Sequence, residues 1–228
     1  MKLYYSPGAC SLSPHIALRE AGLNFELVQV DLASKKTASG QDYLEINPAG
    51  YVPCLQLDDG RTLTEGPAIV QYVADQVPGK QLAPANGSFE RYHLQQWLNF
   101  ISSELHKSFS PLFNPASSDE WKNAVRQSLN TRLGQVARQL EHAPYLLGDQ
   151  LSVADIYLFV VLGWSAYVNI DLSPWPSLQA FQGRVGGREA VQSALRAEGL
   201  DQGVKMPSRG AEAGLGELPQ SNERPDLE

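Results

Sequence analysis

Cysteine is scarce in this sequence: Cys10 and Cys54 are the only two among 228 residues. A secreted domain of this size usually carries more, in pairs, so the expected home is a reducing cytoplasm with both thiols reduced. Neither cysteine stands in a Cys-x-x-Cys, and the four histidines, His15, His93, His106 and His142, lack zinc-ligand spacing. No metal site is expected. Basic charge is also in short supply, with 18 Lys and Arg against 25 Asp and Glu and a formal net charge of −7. Binding to a phosphate backbone relies on clustered Lys and Arg, so no nucleic-acid partner is expected. No uncharged apolar run reaches the roughly 18 residues of a membrane span, and no membrane partner is expected either. The closest, Ile156 to Val168, is too short and reads as a buried core helix. Met1-Lys2-Leu3-Tyr4-Tyr5 meets Pro7 and Gly8 at once, which leaves no room for the apolar region of a signal peptide. Internal repeats are absent.

What is present is enough apolar material for a sizeable core, 43% hydrophobic against 19% charged residues. The first 77 residues alternate strand and helix signals. Leu3 to Tyr5 is a short strand candidate. After the Pro7-Gly8-Ala9 turn, Ser11 to Ala21 reads as a helix, with Ser11 or Ser13 as cap, Pro14 in its first turn and Gly22 as its stop. Phe25 to Val30 reads as a strand, Ser34 to Gln41 as a polar stretch, and Asn47-Pro48-Ala49-Gly50 as a turn. Val52 to Leu57 and Thr62 to Thr64 form a hairpin around Asp58-Asp59-Gly60. Ile69, Val70, Val73 and Val77 then repeat at helical spacing from Gly66. This order predicts a small mixed sheet with helices on its faces, an α/β unit over residues 1–80.

Pro78-Gly79 and Pro84-Ala85-Asn86-Gly87 bracket a linker, and residues 87–200 are helical throughout. Phe89 to Phe109 and Asp119 to His142 read as long amphipathic helices. Ser177 to Val185 and Glu189 to Glu198 read as shorter ones. Ser152 and Asp155 have capping-box spacing before the apolar run. Residues 201–228 hold four glycines, three prolines and no aromatic residue, with three basic and six acidic side chains. This segment reads as a disordered tail.

Cys10 stands directly before a predicted helix. A helix N-terminus favours an anion, so this thiol is expected to titrate below the ordinary value of about 8.5. The bland alternative is a small buried hydrophobe, and the preceding Pro-Gly turn favours the reactive reading. Cys54, between Pro53 and Leu55 in an apolar strand, is read as buried and inert. At about 100° per residue, Asn99, Ser103, His106 and Ser110 share a narrow polar stripe on Phe89–Phe109, opposite Leu94, Trp97, Leu98, Ile101 and Leu105. The stripe is short-chained and nearly uncharged, which suits a cleft wall better than a solvated face. Glu65 opens a helix at Gly66, either as a dipole partner or as an acceptor for a ligand ammonium. Pro53 cannot donate to a ladder and marks an edge or special backbone site.

Together, Tyr5-Ser6-Pro7-Gly8-Ala9-Cys10-Ser11, Asn47-Pro48-x-Gly50-x-Val52-Pro53, Leu63-Thr64-Glu65-Gly66-x-Ala68-Ile69 and Ser152-Val153-Ala154-Asp155 resemble the glutathione transferase family, most closely its bacterial beta class. The similarity covers about residues 1 to 200. It implies a thioredoxin-like domain at 1–80, an all-helical domain at 87–200 holding the second-substrate pocket, and assembly as a homodimer. It also implies conjugation of glutathione, as co-substrate, to small hydrophobic electrophiles in detoxification, with no tightly bound cofactor. By this resemblance Val52 precedes a cis Pro53 and pairs its backbone with the cysteinyl part of glutathione. Glu65 and Gly66 hold the γ-glutamyl end, and Lys35 faces the glycyl carboxylate. Cys10 lies near the glutathione sulfur, joined by His106, Asn99 and Ser103 from the helical domain. Cys10 and His106 are the implied catalytic pair, and Tyr5 or Ser11 could offer a hydroxyl instead. Phe109, Phe113, Trp164 and Tyr167 are candidates for the apolar pocket or for plain core. Two alternatives remain open: a glutathione-dependent thiol–disulfide or peroxide reductase using Cys10, and a non-catalytic partner-binding module of the same fold.

Overall fold

The structure, a computed structural model, describes residues 1–201, so the expected tail lies outside the described residues beyond Asp201. Strands β1 (Lys2–Tyr5), β2 (Glu26–Asp31), β3 (Lys36–Thr37), β4 (Cys54–Gln56) and β5 (Thr62–Thr64) form one sheet in the order β3-β2-β1-β4-β5. β1 and β2 are parallel, which requires a crossover, and helix α1 (Leu12–Ala21) supplies it. The other pairings are antiparallel. The two-residue β3, bonded through Val30 opposite Thr37, falls inside the stretch read as merely polar; so short a strand has no period to detect.

Alternation assigns the faces of the sheet. Leu3 sits opposite Leu55 in the ladder, and both turn toward α1 and helix α2 (Gly66–Gln76), against Ile16, Ala17, Ile69, Val70 and Val73. Tyr4 sits opposite Cys54 on the other face, with Val30, Tyr43 and Val52. α1 carries Ser11 at its cap position, but that hydroxyl makes no cap bond.

The helical layer begins with α3 (Phe89–Phe100), capped by Ser88 Oγ accepting from the Arg91 amide at 3.2 Å. A π-helical turn, Ile101–His106, interrupts the expected single helix, and α4 (Lys107–Phe113) continues from it. α5 (Asp119–His142), α6 (Val153–Gly163), α7 (Pro176–Gly186) and α8 (Glu189–Ala197) follow, with α7 packed on both α5 and α6 and α8 packed on α1. α6 is apolar on all sides except at Asp155 in its first turn and the Tyr157 hydroxyl, and it touches α1, α2, α3 and the π-turn. One continuous core therefore joins sheet layer and helical layer. Arg91 reinforces the joint. Its guanidinium, 4% exposed, donates twice to Asp75 of α2 at 2.8 Å and once each to the Pro84 carbonyl and Gln71 Oε1. Among the described residues no helix is long and apolar enough to cross a membrane.

Candidate active site

The loop between β1 and α1 is held at three points. Ser11 Oγ accepts from the Ser6 amide and donates to the Ser6 carbonyl, both at 3.2 Å, which closes the turn on itself. Gly8, at φ +71°, is gripped on both sides of its residue. Its amide donates to Glu198 Oε2 at 3.0 Å, and its carbonyl accepts from the Trp164 indole at 3.0 Å. Glu198 is itself paired with buried His15 at 2.7 Å. The backbone two residues before Cys10 is thus tied to Glu198, at the end of α8. Cys10 remains partly exposed, and its thiol donates to the Val52 carbonyl at 3.4 Å. Cys54 is fully buried, and burial pushes its thiol up.

Val52 is fixed by the turn before it. The Tyr51 carbonyl accepts from Tyr43 Oη at 2.7 Å and Asn47 Nδ2 at 2.8 Å. Gly50 turns the chain at φ +67°, where a Cβ would stand 3.1 Å from Leu44 Cδ2 and 3.3 Å from the Lys35 side chain. Any side chain there is strained, and it would push on Lys35. Lys35 Nζ donates to the Gly50 carbonyl at 3.0 Å and lies 5.4 Å from the centre of the Tyr51 ring. The Val52–Pro53 peptide is cis. Glu65 holds φ +65°, a conformation that costs a non-glycine residue about 1–3 kcal/mol and clusters at ligand clamps. Its carboxylate is exposed and does not cap α2, whose first residue, Gly66, is buried.

The helical layer contributes His106, half-buried. Its Nδ1 lies 2.6 Å from Tyr157 Oη, and its ring meets Trp164 edge-on at 4.8 Å. Tyr157, on α6, was not among the expected site residues. It is 2% exposed, and burial first, then electrostatic coupling to Cys10 and, after it, Glu65, push its phenol up. Trp164 carries the link to the Cys10 loop, with its ring 4.8 Å from that of His106 and its indole nitrogen on the Gly8 carbonyl. The sequence signal was available: a phenol in a run that is otherwise apolar from Ile156 onward usually finds a partner for its hydroxyl.

The remaining candidates have surroundings of their own. Asn99 and Ser103 do not join His106 on one stripe. Both are exposed, and Ser103 Oγ donates to the Asn99 carbonyl at 3.0 Å. The π-turn changes the rotation per residue between them and His106, so a constant helical angle does not carry through. Ser11 is wholly buried with its hydroxyl spent on Ser6, so it offers none to a ligand thiol. The Tyr5 ring packs near His15, and burial and the Glu198 charge push its phenol up. Trp164 and Phe109 are core, 4% and 1% exposed. Phe113 is half-buried at 6.1 Å from the Trp164 ring, and Tyr167 is exposed. Among the described residues no group of three or more His, Cys, Asp or Glu could hold a metal ion.

Comparison with known proteins gives consistent matches. The family model for "Glutathione S-transferase, N-terminal domain" matches residues 8–76, and that for "Glutathione S-transferase, C-terminal domain" matches residues 100–189. The glutathione S-transferase GstA of Escherichia coli O157:H7 is 48% identical over 200 residues, spanning 88% of this chain and 100% of that protein. The solved structure of a sphingomonad glutathione S-transferase complexed with glutathione is 55% identical, with a TM-score of 0.85 over 88% of this chain and 100% of its own. A bacterial beta class glutathione S-transferase from Sphingomonas chungbukensis is 54% identical, with the same TM-score of 0.85 and coverage of 88% and 100%.

Proposed function

The chain belongs to the glutathione S-transferase family, and from that premise we propose that it joins the thiol of glutathione to small hydrophobic electrophiles, as a cytoplasmic homodimer in a detoxifying role. One observation carries the reading: a partly exposed Cys10, bonded to the Val52 carbonyl, stands in a loop that Trp164 of the helical layer holds at Gly8 while packing on the ring of His106. Glutathione is extended and charged at both ends. In this reading Val52 and Pro53 receive its cysteinyl backbone, Glu65 and Gly66 its γ-glutamyl end, and Lys35 its glycyl carboxylate. Asn99 and Ser103, exposed on the helical layer, complete the glutathione-binding set. The reactive species is the thiolate, so the site must favour sulfur in its charged form. Cys10 and His106 are the donors assigned to that task. The thiolate attacks the electrophilic carbon, a carbon–sulfur bond forms, and the leaving group departs with its electron pair. The thiol proton passes to solvent.

Dimer formation is supported by Phe89 and Tyr92 on α3 and Tyr51 beside the site, exposed by 70%, 59% and 65%. The purified protein should be retained on immobilised glutathione, should conjugate chlorodinitrobenzene, and should scatter light at twice the 25.0 kDa of one chain. A monomer without conjugating activity would overturn the reading. A glutathione-dependent disulfide reductase acting through Cys10 is the second reading, favoured by the exposure of that thiol. It wins if disulfide reduction outpaces conjugation and Cys10→Ala abolishes it.

A further inference from the structure

We propose that Tyr51 is a positioning residue for glutathione: its ring and the Gly50 carbonyl hold the Lys35 ammonium where the glycyl carboxylate arrives. The inference rests on the reading that Lys35 takes that carboxylate, and it deepens that reading.

Lys35 is restrained from backbone to ammonium. Its backbone stands at φ +56°, a left-handed conformation uncommon for a residue other than glycine, and its carbonyl accepts from the Tyr43 amide at 2.8 Å. Its stem lies against buried Gly50, where an added Cβ would stand 3.3 Å from both Lys35 Cδ and Lys35 Cε. The ammonium then reaches the carbonyl of that same glycine at 3.0 Å and lies over the Tyr51 ring, 5.4 Å from its centre. A ring face attracts a cation within about 6 Å of its centre. Tyr43 fixes the other half of the seat too. Its hydroxyl donates to the Tyr51 carbonyl at 2.7 Å, beside Asn47 Nδ2 at 2.8 Å. Lysine and ring are thus both anchored to one fully buried tyrosine.

The kind of partner makes this a seat for a ligand. A carbonyl and a ring face orient an ammonium without cancelling its charge. Among the described residues no carboxylate pairs with Lys35. An acidic side chain in the same place would also orient it, but would compete with the carboxylate of the ligand. An ammonium has three hydrogens, and Gly50 takes one. The others remain for an anion, in charge-assisted bonds roughly twice as strong as neutral ones. A long flexible stem loses rotamer freedom on binding, and a stem already held loses less.

The test uses the full-length protein and two ligands, glutathione and its ester at the glycyl carboxylate, each measured by titration calorimetry. Tyr51→Leu removes the ring face from an exposed side chain and leaves the Tyr51 carbonyl in place. It should weaken glutathione about 2–5-fold, the size of an exposed cation–π contact, and leave the ester unmoved. Its kcat at saturating glutathione should stay near wild type while KM for glutathione rises. Tyr51→Phe keeps the ring and should restore wild-type binding. A loss that came through folding or assembly would weaken both ligands alike and overturn the proposal. So would Tyr51→Leu with unchanged binding, or Tyr51→Phe as weak as Tyr51→Leu. Proton–carbon spectra of ¹³C-lysine protein, assigned with Lys35→Met, test the contact in wild type alone. The Lys35 ε-methylene should be shifted upfield by the ring, and an unshifted signal overturns the proposal even if Tyr51→Leu fails to fold. If wild type binds ester and glutathione equally, the reading of Lys35 fails, and the proposal falls with it. If wild type prefers glutathione while Tyr51→Leu keeps that preference in full, the proposal alone fails.

Discussion

Cys10 and Cys54 are chemically identical in the sequence and opposite in their surroundings. Cys10 is partly exposed in a loop that ends at a helix start, with its thiol on the Val52 carbonyl. Cys54 is fully buried in β4 opposite Tyr4, and burial pushes its thiol up. Only the thiolate alkylates, and it must first be reached. Iodoacetamide should therefore modify Cys10 well before Cys54, and glutathione should protect Cys10. Peptide mass spectrometry over a time course measures both rates. Equal rates, or Cys54 first, would show that exposure and burial do not control these thiols. The contrast was legible in the sequence because each cysteine has a telling local context: a Pro-Gly turn for one, Val52 and Leu55 around the other. The tie from Gly8 to Glu198 was not legible, because it joins residues 190 positions apart and no local pattern announces it.

At the scale of elements, periodicity and capping chemistry were informative wherever the helix is regular. Leu94, Leu98, Ile101 and Leu105 are buried as the apolar spacing requires. The polar residues on the same segment failed because the π-turn changes the rotation, and apolar residues on a broad core face tolerate that change while a narrow stripe does not. The start of α6 shows what local chemistry does reveal. Asp155 Oδ2 accepts from the Ser152 amide at 2.8 Å and its hydroxyl at 2.7 Å, closing the box. The sequence could not show that Asp155 Oδ1 also accepts from the Leu146 amide at 2.8 Å, which pins the preceding loop to the helix. Burial pushes this carboxyl up while the Leu146 and Ser152 donors pull it back. Asp155→Ala removes a cap and strands buried donors at about 1–3 kcal/mol for each one left unpaired. The loss should thus exceed the roughly 0.5–2 kcal/mol of a simple cap deletion. Chemical unfolding of wild type and Asp155→Ala measures it. A variant of full stability that loses only turnover would move Asp155 from scaffold to chemistry.

For the whole molecule, the question is what keeps the Cys10 side and the His106 side in register, since each belongs to a different layer. The apolar core around α6 supplies most of the attraction but little directional restraint. Direction comes from polar ties across the joint, and the strongest on the α2–α3 side is Arg91 with Asp75. The Arg91 guanidinium holds the Asp75 carboxyl below its ordinary value, against an opposing push from burial. A carboxyl depressed in the folded state binds its proton more readily when unfolded. The pair's contribution is therefore complete above the ordinary carboxylate value of about 4 and is lost as pH falls through the lower folded value. Acid should loosen this joint, and a variant that cannot ionise should lack that part of the response. Between about pH 5 and pH 3, wild type should lose thermal stability more steeply than Asp75→Asn, although the variant starts lower because Arg91 keeps its charge without a carboxylate. Differential scanning calorimetry across that range measures both slopes. Parallel slopes would mean that Asp75 titrates alike folded and unfolded, and that the layers are held in register without it.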